Sequence, residues 1–111
     1  MIQDVTSKIE RLEALEERLS ISLSSLSAFF AILNDGRPCI QICGEFHSGK
    51  GMTLDQTIYL HFAIYDLQGR VVTSEYCMFL SQSFYGMETF QKQIFPPTGE
   101  LSKIRIYPGL H

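Results

Sequence analysis

Several residue types are scarce in this chain, and each scarcity argues against a class of protein. Among 111 residues there is no tryptophan, and only three are cysteine. Three cysteines cannot all pair within one chain, so a disulfide-stapled scaffold is excluded and a reducing compartment is favoured. Nine lysines and arginines stand against twelve acidic residues, which gives a formal net charge of −3. Because phosphate-backbone binders concentrate basic residues on one face, we expect no nucleic-acid partner.

Long hydrophobic runs are also missing. No stretch reaches the roughly 18 apolar residues of a membrane span, so we expect no membrane insertion. The first twenty residues carry acids throughout, whereas a secretory signal needs an apolar centre. As written, the sequence predicts a cytoplasmic protein, or an extracytoplasmic one if a leader has been removed. The hydrophobic fraction of 45% and the charged fraction of 19% are typical of a globular domain.

The strongest pattern is a period of two in the middle of the chain. Apolar residues occupy alternate positions from Ile58 to Ile64, so their side chains share one face of a strand, and that face must be buried. Turn residues follow at Asp66 to Gly69, and a second β-branched run begins at Val71. The region predicts a β-hairpin with Phe62 in the core.

Similar alternation, broken by turn residues about every ten positions, predicts further strands on either side of this hairpin. We place them within residues 22–33, 38–47, 70–80, 88–95 and 101–107. A chain of six or seven short strands favours an antiparallel sandwich, which we assign to residues 21–111.

The first twenty residues show a helical period instead. Apolar residues three and four positions apart predict an amphipathic helix from Asp4 to about Leu19, assigned to residues 1–20. The stripe consists of Ile9, Leu12, Leu15 and Leu19. Glu16 interrupts the seam that the stripe would offer to a coiled coil. Because so short a helix is marginal alone, its stripe is expected to pack on the sheet or on a second chain.

One short segment carries a resemblance to a known family. Phe62-Ala63-Ile64-Tyr65-Asp66 resembles the Phe-x-Leu-Tyr-Asp signature of the bacterial FxLYD domains, with isoleucine where the family prefers leucine. Gly69, the valines after it and Gly86-Met87-Glu88-Thr89-Phe90 extend the similarity over roughly residues 24–107. The resemblance implies an immunoglobulin-like fold, usually found in exported or envelope proteins, and it supplies no catalytic residues. The combined prediction is a mainly β, antiparallel immunoglobulin-like β-sandwich of six or seven strands with an N-terminal α-helix.

Two motifs suggest chemistry that their surroundings do not support. The segment from Gly44 to Lys50 has the glycine and lysine spacing of a phosphate-binding loop, but Gly51 stands where Ser or Thr should bind magnesium, and no helical pattern follows. We interpret it as an exposed loop.

Cys39 and Cys43 lie on one predicted strand about 13 Å apart. This separation is too large for the two thiols to share a zinc ion, so packing roles are favoured. We expect no metal and no cofactor.

The tyrosines on the outward face of the central strand carry the main functional signal. Aromatic residues outside a core are typical of interfaces. We therefore predict a non-enzymatic interaction or structural module that self-associates as a dimer, or binds another protein, through its helix and this face. The predicted interface residues are Ile9, Leu12, Leu15, Leu19, Tyr59, His61 and Tyr65. The alternative is a small-molecule or carbohydrate-binding domain that uses exposed aromatics and the loops at residues 48–56 and 81–86.

Overall fold

The computed structural model describes residues 2–111, in which strands predominate. In chain order the elements are β1 (Ile2–Asp4), a 3₁₀ turn (Thr6–Lys8), β2 (Ile9–Arg11), α1 (Glu13–Arg18), β3 (Ile21–Ile32), β4 (Pro38–Ser48), β5 (Ile58–Tyr65), β6 (Val71–Phe79), β7 (Met87–Ile94) and β8 (Lys103–Gly109). The chain is therefore mainly β, as the sequence predicts. No helix within residues 2–111 is long and apolar enough to cross a membrane.

The strands form two four-stranded sheets. Sheet 1 has the order β1-β3-β4-β7, and sheet 2 has the order β2-β8-β5-β6. Neighbouring strands are antiparallel except for β2 and β8, which run parallel. Buried side chains from both sheets make up one hydrophobic cluster, so the sheets pack face to face around a shared core.

The core has the composition that the period of two predicts. Every second residue of β5 is buried, and Phe62 is fully inaccessible. Across the core, the Phe46 ring stacks on the Phe79 ring at a centroid distance of 4.0 Å, and the edge of Phe84 meets Phe46 at 5.6 Å. The predicted hairpin is also present, with β5 paired to β6.

Two finer parts of the fold prediction are not confirmed. The described residues contain eight strands rather than six or seven. The immunoglobulin-like strand order is likewise unconfirmed, and the two sheets have the orders β1-β3-β4-β7 and β2-β8-β5-β6.

The predicted helix from Asp4 to Leu19 is wrong in extent, since only Glu13–Arg18 is α-helical. The residues before α1 instead add an edge strand to each sheet: β1 pairs antiparallel with β3, and β2 pairs parallel with β8. Between these strands Val5 is 2% exposed and enters the core. Backbone hydrogen bonds to two sheet edges thus outweigh a modest local helix propensity. The segment crosses from one sheet to the other and covers one side of the sandwich.

The acid that interrupts the apolar stripe is the residue that α1 buries. Glu16 is 2% exposed, and its Oε1 and Oε2 accept hydrogen bonds from Arg11 Nη2 at 2.6 Å and Arg11 Nε at 3.1 Å. The amide of Leu23 donates to the same carboxylate at 3.2 Å. The hydrogen bond that Arg11 donates to Glu16 raises the pKa of Arg11. Through these hydrogen bonds the Glu16 carboxylate links Arg11, at the end of β2, to Leu23, near the start of β3.

The opposite side of the sandwich is lined by the two long edge strands, β6 and β7. Each places a charged residue on its inward face, because Glu75 lies opposite Phe62 and Lys92 lies opposite Ile42. Lys92 Nζ is 3.2 Å from Glu75 Oε1. Inward-pointing charges are a known protection of edge strands against pairing with other chains. The ion pair therefore joins the sheets at the edge where strand pairing with another molecule is otherwise easiest.

A β-bulge in β3 determines which residues face outward on sheet 1. The register shifts between Ser24, opposite Glu45, and Ser27, opposite Cys43. Ser25 adopts a positive φ of 54°, a conformation that side chains rarely take. The extra residue lets Leu26 pack inward above Gly44, where an added Cβ would lie 2.6 Å from Leu26 Cδ2. A larger residue at position 44 would require the side chains of Leu26 and Phe90 to shift.

Candidate interaction surface

The outer face of sheet 2 gathers four rings from three strands, and we call this group the aromatic face. It consists of Tyr59, His61, Tyr76 and Tyr107. Strand register explains the grouping, because His61 on β5 lies directly opposite Tyr76 on β6 and Tyr107 on β8. Directly opposed residues of antiparallel strands project on the same side of a sheet.

The rings of the aromatic face are in mutual contact. His61 stacks on Tyr107 at a centroid distance of 5.1 Å, with 21° between the ring planes. Tyr59 and Tyr76 are 5.3 Å apart, and His61 lies 6.2 Å from Tyr76. His61 Nε2 is also 2.7 Å from the carbonyl oxygen of His111, which holds the imidazole in place. The result is a continuous, ordered patch rather than a set of isolated tyrosines.

The apolar character of the patch continues along the edge strand β6. Tyr76 is 52% exposed, Met78 48%, and Leu80 just beyond the strand 45%. Alternate positions of a strand project on one side, so these three residues share the outer surface of sheet 2. Exposed apolar residues in contiguous groups mark interaction surfaces, whereas isolated ones do not.

One border of the aromatic face is charged. Lys103 Nζ and Arg105 Cζ lie 5.1 and 5.2 Å from the centroid of the Tyr65 ring. Glu10 binds both cations, with Oε1 2.6 Å from Arg105 Nε and Oε2 3.5 Å from Lys103 Nζ. The hydrogen bond from Arg105 lowers the pKa of Glu10. A polar, internally paired border around an aromatic centre is the usual arrangement of a protein interface.

The structure separates the predicted interface residues into two groups. Tyr59 and His61 meet in the aromatic face, and Tyr65 stands at its charged border. The four residues of the apolar stripe are only partly buried but do not form one helical face, because Ile9 is in β2 and Leu12 and Leu19 flank α1. Ile9 and Leu19 pack against the core. Tyr107 was not among the predicted interface residues. The alternation along its strand could have identified it, because Ile104 and Ile106 face inward and Tyr107 therefore faces outward.

The remaining motifs offer little chemistry. The loop at Lys50 leads to β5 instead of a helix, and Lys50 Nζ pairs with Asp55 Oδ2 at 2.5 Å while both side chains are more than half exposed. A cavity of about 220 Å³ adjoins this loop. This volume is below the roughly 300 Å³ at which ligand pockets usually start.

The cysteines are free thiols, and burial raises the pKa of Cys77 to about 11. A thiol held protonated is a poor nucleophile.

Comparisons with known proteins give few matches. No protein-family model matches this chain, and no curated protein matches it. The crystal structure of Campylobacter jejuni cj0090 aligns with 94% of this chain and 98% of its own, at 7% identity and a TM-score of 0.43. A DUF1425 family member from Shewanella sp. pv-4 aligns with 80% of this chain and 94% of its own, at 16% identity and a TM-score of 0.42. Similarity at this level assigns neither a family nor a function, and the FxLYD resemblance is unconfirmed.

Proposed function

We propose that this protein is a non-enzymatic interaction module that forms a two-fold dimer through the aromatic face of sheet 2. The observation that supports the proposal is the contiguous contact of Tyr59, His61, Tyr76 and Tyr107 on an outward sheet surface. Tyrosine rings supply a large contact area at low conformational-entropy cost, so they are enriched in interfaces. A two-fold axis lets one patch serve both partners, and such dimers are the commonest closed assembly.

The aromatic face sets the size of the proposed interface. Its three strands, β5, β6 and β8, are spaced about 4.8 Å apart and are roughly eight residues long, so they cover about 14 by 26 Å, or some 370 Å² per protomer before the relief of the side chains is counted. Two copies would then bury about 740 Å², which is below the roughly 1,000 Å² of a stable specific complex and is in the range of weak, transient ones. The proposal therefore predicts a dimer of low affinity.

Edge-to-edge association is disfavoured by the same structure. β1 and β2, the edges on one side, have three residues each. The edges on the other side carry the inward Lys92–Glu75 pair. Short edges and inward charges both oppose strand addition. Face-to-face packing of sheet 2 is therefore the arrangement that we propose, without a contribution from a helical stripe, because only Glu13–Arg18 is α-helical.

Sedimentation velocity over protein concentrations of about 5 to 200 μM tests the proposal. The wild type should sediment as a dimer at the upper end, and Tyr76→Glu should remain monomeric, since burying an unpaired carboxylate in an apolar interface is costly. Tyr85→Glu is the matched control, because Tyr85 is 78% exposed but belongs to the loop before β7. Circular dichroism should be unchanged in both variants. A monomeric wild type at 200 μM, or equal disruption by Tyr85→Glu, contradicts the proposal.

The second candidate, a carbohydrate-binding domain, uses the same rings as a stacking platform. Its support is the partly exposed, nearly parallel pair of His61 and Tyr107. If the wild type is monomeric and its tyrosine fluorescence changes on titration with oligosaccharides, while Tyr76→Ala abolishes the change, the binding domain replaces the dimer as the better interpretation.

A further inference from the structure

His61 occupies the centre of the aromatic face. Its ring contacts each of the other three, at centroid distances of 5.1 Å to Tyr107, 6.2 Å to Tyr76 and 6.3 Å to Tyr59. The reason is its place in the sheet, because β5 lies between β6 and β8 and His61 stands opposite a tyrosine on each side. A surface otherwise made of phenol rings thus has an ionisable imidazole at its middle.

The central position determines what His61 meets in a dimer. In a two-fold interface one patch serves both partners, so residues near the centre of the patch lie near the axis and face their own copies. The two His61 imidazoles therefore approach each other in the dimer described above. We propose that protonation of His61 dissociates this dimer, so that the chains associate near neutral pH and separate in mild acid. The inference rests on the proposed function and adds its regulation.

The hydrogen bond of His61 shows where the added proton goes. Nε2 lies 2.7 Å from the backbone oxygen of His111, which can only accept, so Nε2 carries the ring hydrogen of the neutral imidazole. Acid then adds a proton to Nδ1 and leaves the contact with His111 intact. His61 is partly exposed in the single chain, so solvent can supply this proton.

The side chains that face His61 do not balance the added charge. Its own strand and the two neighbouring strands each present a phenol to the imidazole, and the chain after β8 adds the backbone oxygen and imidazole of His111. The ion pairs among residues 2–111 give a carboxylate to His47 but none to His61. An imidazolium covered by a second chain loses its water without gaining a side-chain counter-ion, and its copy across the axis adds like-charge repulsion.

The charged groups on the same face belong to its border. Arg105 lies two residues before Tyr107 on β8, and Glu10 of β2 binds it at 2.6 Å and also pairs with Lys103. The hydrogen bond from Arg105 lowers the pKa of Glu10, so this border stays ionised in mild acid. The border therefore neither neutralises a protonated His61 nor changes its own charge in the same pH range.

The direction of the pH effect follows from counting protons. In acid each separated chain binds a proton at His61, whereas the dimer excludes it, so a dimer takes up two protons when it separates. Lowering the pH therefore shifts the equilibrium towards single chains. Imidazole is the side chain whose charge ordinarily changes between about pH 5 and pH 8, which sets the range of the transition.

Sedimentation velocity at about pH 8 and about pH 5, over protein concentrations of about 5 to 200 μM, tests the inference. We expect the dissociation constant of the wild-type dimer to rise at least about tenfold from the higher pH to the lower. His61→Gln keeps a donor for the His111 oxygen but takes up no proton, so its dissociation constant should be the same at both pH values, whatever its absolute affinity. His61→Lys carries the charge throughout and should be monomeric at both.

Two other histidines supply matched controls. His47→Gln removes a partly exposed imidazole from sheet 1, away from the aromatic face, and should keep the pH dependence of the wild type. His111→Gln keeps the backbone oxygen that His61 binds and should keep it as well. Circular dichroism at both pH values should show the same β-sheet signal for every variant.

The outcomes separate this inference from the proposal on which it rests. A wild-type dimer with equal dissociation constants at both pH values overturns the role of His61 and leaves the dimer standing. The same holds if His61→Gln retains the pH dependence of the wild type, or if dissociation coincides with loss of the β-sheet signal. A wild type that is monomeric at the higher pH and about 200 μM overturns the dimer itself and the inference with it.

Discussion

Replacing Arg11 by alanine removes the main partner of a buried carboxylate. In the wild type Arg11 Nη2 and Nε donate to Glu16 at 2.6 and 3.1 Å, and Nη2 also donates to the carbonyl oxygen of Leu23 at 2.7 Å. After the substitution Glu16 keeps only the amide of Leu23, at 3.2 Å. The carbonyl of Leu23 loses this side-chain donor at the same time.

The expected loss follows from this geometry. Removing one partner of a buried ion pair typically costs about 3 to 5 kcal/mol, because the other charge stays desolvated. The side chain of Arg11 is 33% exposed, so water entering its place will solvate part of the carboxylate. We therefore expect Arg11→Ala to lower the free energy of unfolding by about 2 to 3 kcal/mol. For a domain of this size that corresponds to a fall in Tm of roughly 8 to 12 °C.

Urea denaturation followed by far-UV circular dichroism measures the loss. The matched control is Arg37→Ala, whose pair with Asp35 has a similar length of 2.7 Å but side-chain exposures of 58% and 56%. An exposed pair contributes less than about 1 kcal/mol. Adding Glu16→Gln to Arg11→Ala should recover part of the loss, since a neutral amide removes the unpaired charge. Equal losses for Arg11→Ala and Arg37→Ala would refute the reasoning.

Three further predictions concern the core, the loop and the hairpin turn. Phe62→Ala should lower the free energy of unfolding by about 3 to 5 kcal/mol in urea, and a loss below about 1 kcal/mol would mean that the packing around the ring is misjudged. Lys50→Ala should change stability by less than about 0.5 kcal/mol, because its pair with Asp55 is exposed; nucleotide binding that this change abolishes would contradict the loop interpretation. Asp66 has a lowered pKa, chiefly because the Arg70 amide donates to it, so its contribution is present above the pKa of an unfolded aspartate and is lost as pH falls through the folded value. Asp66→Asn should therefore flatten the decline in stability between about pH 5 and pH 2, and a decline identical to that of the wild type would count against this role.

Local periodicity in the sequence was sufficient to predict the long strands and their turns. The inward face of β5 could be identified because alternation projects side chains to opposite sides of any strand, whatever its neighbours. The turn after it could be predicted because Asp66 accepts hydrogen bonds from the nearby amides of Gln68 and Arg70, and Gly69 takes a positive φ of 80°. These features depend on contacts within a few residues.

The N-terminal segment shows what local patterns could not determine. Its apolar spacing is helical, yet Ile2–Asp4 and Ile9–Arg11 join sheet edges that are built from residues 21–32 and 103–109. Glu16 reads as an interruption in the sequence, but it is buried because Arg11 and the Leu23 amide satisfy its carboxylate. Both outcomes depend on partners far away in the chain or in another element, and no pattern within a single element contains them.

The residues of the aromatic face divide in the same way. The sequence places Tyr59 and His61 on an outward face, and alternation within β8 is enough to place Tyr107 outward as well. Only the pairing of β5 with both β6 and β8 brings Tyr76 and Tyr107 to either side of His61. The hydrogen-bonded side chains of Ser24, Glu45 and His47 likewise meet through the register of β3 on β4 and the bulge beside Ser24. Strand register is a tertiary property, since one residue of slip moves every side chain to the other face, and it decides which residues act together.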